Sequence, residues 1–322
     1  MANEFEGRVA LITGAGDADG LGFAHARFLA ERGARIVLND FGGGTLGLPV
    51  QGVDAGVAEA AAERIRTLGG EAIANAGDVG DPQTARDMVQ AALDAWGRID
   101  IVVNNAGIAS AAFFPDVDEE EMQRHVRVTL LGCLHTARAA WPHFVEKGYG
   151  RIVNTGSPAC FGNEIAAYSS TKSGLFGLTR TAAIFGAPHG IRVNQLLPAA
   201  WSRLTALLPE SDFKTRLHAD FGSDRISPLV GWLVSDRCDV SGETFTAGGG
   251  GFSRVVYAAS GVEPAEGDLD DVGQAVRRAM DDTGWTVFRS TQDNMVHLGM
   301  PEEDEPSVST SGDADEPEGS GG

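Results

Sequence analysis

Short apolar runs alternating with helix-period segments constrain this chain more than any other feature it has. Arg8–Thr13 (RVALIT) reads as a buried strand, followed by a glycine-rich turn and a helix near Leu21–Arg32. Arg35–Asn39 (RIVLN) gives a second strand and Glu71–Ala76 a weaker third, with Ile99–Val103, Arg151–Asn154 and Ile191–Leu197 further along. Between them, helical periodicity marks Val57–Leu68, Pro82–Trp96, Asp118–Glu146, with Pro142 as its expected kink, and Ala166–Phe185. Strands that are apolar throughout are buried on both faces, as in a parallel sheet covered by helices on each side. The fold class that follows is α/β, a Rossmann-type doubly wound parallel sheet of about seven strands in one domain. That domain is expected over residues 5–252, ending near the glycine run Gly248–Gly251. A C-terminal extension, 253–299, offers one amphipathic helix at Asp268–Met280 and one short strand at Trp285–Phe288.

Hydrophobic residues make up 43% of the 322, enough to bury a full core. The net charge of −20 argues against nucleic acid and against anionic membrane surfaces as partners. Part of that charge is local: residues 300–322 carry eight carboxylates, from Glu302 to Glu318, and no Lys or Arg. With its Ser, Gly and Pro content this stretch reads as an acidic disordered tail. Cys133, Cys160 and Cys238 give neither a disulfide framework nor zinc spacing, and the histidines show no metal spacing, so no metal is expected. The N-terminus has no basic-then-apolar signal and no long apolar run occurs, which points to a cytoplasmic protein.

Two local patterns point to chemistry. Thr13-Gly14-Ala15-Gly16-Asp17-Ala18-Asp19-Gly20-Leu21-Gly22 joins the first strand to the first helix. Glycines there let the backbone approach a pyrophosphate, while the helix N-terminus supplies N–H groups and positive dipole. Asp40 ends the second strand, where a carboxylate hydrogen-bonds a ribose 2′-OH and repels a 2′-phosphate. No Lys or Arg stands beside it, so the cofactor expected is NAD rather than NADP. In the second pattern, Tyr168 and Lys172 stand four residues apart, on one face of a helix. A phenol, with a pKa of about 10, is a poor base at neutral pH, and a fixed ammonium favours its phenolate. The pair is a plausible proton-handling unit.

Thr13-Gly14 with Gly20 and Gly22, Asp78 in Gly77-Asp78-Val79, Asn104-Asn105-Ala106-Gly107, and Tyr168 with Lys172 fall in one order along residues 5 to 252. In this set the chain resembles the short-chain dehydrogenase/reductase family. It is most similar to the branch containing the dehydrogenase region of peroxisomal multifunctional β-oxidation enzymes, through Asn39–Gly43, Arg138–His143 and Pro198–Thr205. The resemblance implies an NAD-linked oxidoreductase of secondary alcohols or ketones, forming homodimers or homotetramers on the helices around 118–146 and 166–185. It implies that Gly14, Gly16, Gly20, Leu21 and Gly22 hold the pyrophosphate and that Asp78 and Val79 hold the adenine. Asn104, Ala106 and Gly107 would pass beneath the riboses, and Pro198, Ala200 and Trp201 would meet the nicotinamide amide. Tyr168 would be the base, Lys172 its activator and a ribose contact, and Ser157 at the end of the fifth strand the donor to the substrate oxygen.

The chain departs from the pattern at four places. Five residues separate Gly14 from Gly20, a longer glycine loop than usual, and its Asp17 and Asp19 bring negative charge near a pyrophosphate. The connection after the second strand carries extra material around Leu46–Val53. Ser157 lies 11 residues before Tyr168, a short interval; the usual one falls on Thr155. Thr129 stands where the family has an Asn that holds a water relay to the lysine. The lid expected over Ser202–Ser227 offers Trp201, Leu204, Leu207, Leu208, Phe213 and Phe221. That suits a bulky apolar alcohol such as a steroid or terpenoid. A 3-hydroxyacyl-CoA would draw on Arg203, Lys214, Arg216, Arg225 and Arg254, and a non-catalytic NAD-binding scaffold is the alternative of another class.

Overall fold

The computed structural model describes residues 3–42, 52–109, 113–202, 205–207, 209–265, 267–281 and 284–301. Leu46–Gln51 of the long connection, Arg203, the side chains of Leu204, Leu207 and Leu208, and the acidic tail from Glu302 lie outside the described residues. Two compact units are present, 1–256 and 257–322.

In the first unit an eight-stranded sheet runs β3-β2-β1-β4-β5-β6-β7-β8. Its strands are β1 (Val9–Thr13), β2 (Arg35–Asp40), β3 (Glu71–Ala76), β4 (Ile101–Asn104), β5 (Gly150–Thr155), β6 (Ile191–Pro198), β7 (Thr244–Gly248) and β8 (Gly251–Val255). Neighbours from β3 through β7 pair in parallel, whereas β8 returns antiparallel on β7. The order reverses between β1 and β4, the point at which doubly wound sheets open a crevice at the strand C-termini.

Alternate side chains of each central strand enter two separate cores. Ala10 and Ile12 of β1, Ile36 and Leu38 of β2, and Ile101 and Val103 of β4 belong to the first. Val9, Leu11, Val37 and Val102 belong to the second. The first is closed by α1 (Leu21–Ala30), α2 (Ala55–Thr67) and α8 (Ser227–Val234), through Phe23, Leu29, Ile65, Leu229 and Val230. The second is closed by α3 (Pro82–Trp96), α5 (Gly132–Lys147) and α6 (Ala166–Gly186), through Met88, Val89, Ala140, Phe144 and Ala183. Helix ends follow local chemistry. In α3, Asp81 accepts from Gln83 N–H, Pro82 fills the first turn, and Gly97 at φ +67° closes the last.

Three features refine this outline. The sheet has an eighth strand, Gly251–Val255, entered through a turn with Gly249 and Gly250 at positive φ. Pro142 does not divide its helix; α5 runs through it. The irregularity lies upstream, where α4 (Glu119–His125) passes into π-helical turns over Val126–Leu131.

The second unit holds a two-stranded antiparallel pair, β9 (Ala258–Ala259) and β10 (Thr286–Val287), with α9 (Leu269–Ala279) and α10 (Thr291–His297). α7 (Asp212–Asp220) belongs to the first unit and follows a short 3-10 turn at Thr205–Leu207.

Candidate active site

The crevice is built by backbone that only small residues permit. At Gly14, φ is +61° and a β-carbon would stand 2.8 Å from Ala106 Cα. On Gly22, in the first turn of α1, it would meet the Gly14 carbonyl at 2.4 Å. Thr13 Oγ1 accepts from Asn105 N–H and Ala106 N–H, both at 3.0 Å, and Asn105 Nδ2 donates to the Thr13 and Gly14 carbonyls. The glycine loop and the Asn104–Gly107 turn are thereby one braced structure. Gly20 is the N-cap of helix α1, and no side chain caps the helix N–H groups. The lengthened loop closes on itself: Asp17 Oδ1 accepts from Asp19 N–H, the Asp17 carbonyl accepts from Gly20 N–H, and Asp19 is exposed.

Asp40 is buried at the end of β2. Its Oδ2 accepts from Gly16 N–H and its Oδ1 from Gly42 N–H, each at 2.8 Å. It therefore caps both flanking loops, and each carboxylate oxygen keeps a lone pair for a further donor. A β-carbon on Gly16 would fall 2.8 Å from that carboxylate, so the glycine is what allows the contact. Asp78 accepts from Gly80 N–H and forms an ion pair with Arg127, while Val79 packs under Gly132 at the start of α5.

Asn104 and Asn154 are register partners on β4 and β5, and Asn104 Nδ2 donates to Asn154 Oδ1 at 2.9 Å. Thr136 of α5 donates to Asn104 Oδ1, and Asn154 Nδ2 donates to Thr179 Oγ1 of α6 at 3.0 Å. The chain Thr136–Asn104–Asn154–Thr179 is buried and bolts two helices to the sheet. It leaves Asn104 only its backbone to offer a cofactor.

Helix α6 carries Tyr168, part-exposed, and Lys172, 4% exposed. Lys172 Nζ donates to the Thr155 carbonyl at 2.7 Å and lies 5.8 Å from the Tyr168 ring centre. It also lies 3.1 Å from where a β-carbon on Gly107 would stand, so that glycine admits the ammonium. Thr129 Oγ1 is 3.9 Å from the same point, fully buried and without a hydrogen-bond partner among the described residues.

Ser157 Oγ accepts from Ala159 N–H at 3.1 Å, capping the 3-10 turn Pro158–Phe161 and leaving its own proton to donate. Asn154 faces α6, so strand alternation turns the Thr155 side chain to the other face of the sheet. Thr155 serves Lys172 through its carbonyl, and Ser157 is the hydroxyl placed after the strand end.

Pro198 ends β6, Ala199 N–H donates to Ala247 O, and Ala200 is buried. Trp201 N–H donates to the Phe221 carbonyl, and the Trp201 ring meets His218 of α7 edge-on at 4.5 Å. Phe221 lies against Gly248 and Gly249, and Phe213 is exposed.

Some relevant residues carried no sequence signal. His125 is fully buried and its ring stands edge-on to Tyr168, centres 6.3 Å apart. Phe113 (52% exposed), Phe114 (76%) and Phe161 (67%) flank the loop before Tyr168, where Phe114 N–H donates to the Glu164 carbonyl. Among the described residues no His, Cys, Asp and Glu group could hold a metal, and no helix is long and apolar enough to cross a membrane.

The sequence matches the family model "short chain dehydrogenase" over residues 8–212. The chain belongs to the short chain dehydrogenase family. Within it, the chain is 39% identical over 253 residues to the peroxisomal multifunctional enzyme type 2 of Mus musculus, covering 78% of this chain and 33% of that one. It therefore spans about a third of that relative's length. A second relative, the (2S)-[(R)-hydroxy(phenyl)methyl]succinyl-CoA dehydrogenase subunit BbsD of Thauera aromatica, is 38% identical over 213 residues, covering 64% of this chain and 79% of that one. Among solved structures, carveol dehydrogenase from Mycobacterium avium in complex with NAD superposes with a TM-score of 0.66 at 27% identity, covering 76% of this chain and 97% of that one.

Proposed function

We propose that this chain is an NAD-dependent dehydrogenase that interconverts a secondary alcohol and its ketone, acting on a bulky apolar substrate. The observation that carries the reading is Lys172: a buried ammonium held at the end of β5, against Gly107 and beside the Tyr168 ring. A buried charge is costly unless it is partnered and put to use.

The residues fit NAD. The uncapped start of α1 and the close approach at Gly14 and Gly22 suit a pyrophosphate. Asp40 retains capacity to accept a ribose hydroxyl, with no Lys or Arg beside it to favour a 2′-phosphate. The solved relative in complex with NAD supports the same choice. When bound, NAD supplies the hydride acceptor, and NADH the donor in reduction. Tyr168 takes the hydroxyl proton in oxidation and returns it in reduction. Lys172 stabilises negative charge on the phenol oxygen, and Ser157 donates its proton to the substrate oxygen.

Three exposed phenylalanines, Phe113, Phe114 and Phe161, flank the loop before Tyr168. Exposed aromatic clusters of this kind mark apolar ligands. The carveol dehydrogenase relative supports a terpenoid or a similarly apolar alcohol. A 3-hydroxyacyl-CoA is the second reading, favoured by the CoA-named and multifunctional relatives. Of the basic residues such a thioester would use, Lys214 pairs with Glu210, Arg216 with Asp220 and Arg254 with Glu243. That ranks the apolar alcohol first. Initial rates with NAD on a hydroxysteroid, a monoterpenoid alcohol and a 3-hydroxyacyl-CoA test the order. The apolar alcohols should show the higher kcat/KM, and preference for the thioester would reverse it.

Homo-oligomer formation is part of the proposal. Ile184 and Phe185 of α6, 56% and 61% exposed, support a face that another copy covers. Light scattering of the purified protein reads the mass directly.

A further inference from the structure

The segment joining α4 to α5 inverts the usual helix pattern. Between Glu119 and Leu131 the fully buried residues are His125 and Thr129, both polar. The apolar Val126, Val128, Leu130 and Leu131 all keep some exposure. The π-helical turns over Val126–Leu131 sit between and after these two positions, which stand one turn apart on the inner face. Such local widening of a helix commonly marks a functional site.

Neither ring nitrogen of His125 has a hydrogen-bond partner among the described residues, nor has Thr129 Oγ1. A buried polar atom left without a hydrogen bond is destabilising. Placing three of them on one inner face calls for ordered water or a reacting group to bond them. Their surroundings are the proton-handling pair. The His125 ring is edge-on to Tyr168, and Thr129 Oγ1 and Lys172 Nζ both border the Gly107 β-position. Burial pushes the His125 pKa below its ordinary value; Glu121 opposes this, while Arg124 and Lys172 act with it. The imidazole is thus neutral at working pH and holds one donor and one acceptor nitrogen.

We propose that His125 is a positioning residue for Tyr168: its ring orients the phenol edge-on, and with Thr129 it hydrogen-bonds the water through which the phenol's proton reaches solvent. The inference rests on the dehydrogenase reading above. In oxidation the alcohol O–H bond breaks and its proton passes to the Tyr168 oxygen, while the C–H pair leaves as hydride to the nicotinamide. The Tyr168 proton is then released to solvent through that water, and the phenolate is restored. Alcohol is converted to ketone, one hydride and one proton. The same path in reverse supplies the proton in reduction.

The test compares His125→Phe, which keeps a ring of similar size, with His125→Asn, which keeps a donor and an acceptor without the ring. For each, kcat and KM are measured at saturating NAD, NAD affinity by calorimetry and stability by thermal melting. His125→Phe should lower kcat by about tenfold or more. Its KM and NAD affinity should stay within a factor of about two. His125→Asn should recover part of the lost kcat, since it restores the hydrogen bonds but not the ring. Should the Phe variant not fold, Thr129→Val removes one hydroxyl and must show the same kcat loss at unchanged NAD affinity. A Phe variant with wild-type kcat overturns the inference, as do equal kcat losses in the Phe and Asn variants. Wild-type protein that turns over no alcohol refutes the dehydrogenase reading itself, an outcome distinct from either.

Discussion

Lys172 Nζ and the Thr155 carbonyl lie 2.7 Å apart, in a buried hydrogen bond between α6 and the last residue of β5. This bond fixes where the ammonium can be. It is held at the strand end, beside Tyr168 and against the one face of the Asn104–Gly107 turn that lacks a side chain. The Thr136–Asn104–Asn154–Thr179 chain then holds α6 itself to the sheet. Placement of the pair is a tertiary property, set by two strands and two helices.

Gly107→Ala should separate catalysis from folding. The added β-carbon meets Lys172 Nζ at 3.1 Å, so the end of that side chain must shift by a few tenths of an ångström against its bond to the Thr155 carbonyl. Stability should change by less than about 1 kcal/mol, while kcat falls because the ammonium is displaced. Melting temperature and initial rates on one sample check both halves.

Gly22→Ala should do the opposite. There the β-carbon falls 2.4 Å from the Gly14 carbonyl and 2.9 Å from Ala15 Cα, backbone that cannot swing away. A loss of about 1–3 kcal/mol in urea unfolding is expected, with weakened NAD binding, because α1 must move off the glycine loop.

Much of this framework is legible in the sequence. β3 and α3 have the limits their patterns indicate, Glu71–Ala76 and Pro82–Trp96, since apolar runs and the Asp81–Pro82 start are local signals. β4 is instructive: Ile99 is fully buried, yet pairing begins at Ile101, because Asp100 intervenes with its own bonds to the Val9 backbone. Apolarity reports burial, not ladder pairing. β8 gives no sequence signal, because its side chains are largely exposed and form no apolar run. Asn154, Thr136 and Thr179 were unreadable as a network, since only the β4–β5 register brings them together. His125 was equally silent, because a lone histidine within a charged helical stretch gives no hint that it faces inward.

Asp40→Ala should cost specificity and stability together. The carboxylate accepts from Gly16 N–H and Gly42 N–H, and its removal strands both donors. A loss of about 1–3 kcal/mol is expected. The NAD-over-NADP preference in kcat/KM should fall by about tenfold or more as repulsion of a 2′-phosphate disappears. Rates with both cofactors, beside a denaturation curve, test this.

His25, fully buried on α1 and bonded through Nδ1 to Ser227 Oγ at 2.9 Å, gives a pH signature. Burial lowers its pKa from 6.5 to about 4. Below pH 6.5 the unfolded chain binds a proton that the native state refuses until about pH 4. This contribution is therefore present above pH 6.5 and is lost as pH falls towards 4, by about 3 kcal/mol in all. The stability advantage of wild type over His25→Gln should shrink across that interval, as read from urea unfolding at neutral and acid pH.

The central claim is that Tyr168, supported by Lys172, moves the proton for alcohol oxidation. The most direct measurement is NADH formation from an apolar secondary alcohol by wild type and Tyr168→Phe, with NAD affinity measured in parallel. The account predicts turnover by wild type and a loss of about 10²–10⁴-fold in the Phe variant at nearly unchanged NAD affinity. A Phe variant that keeps the wild-type rate would contradict it.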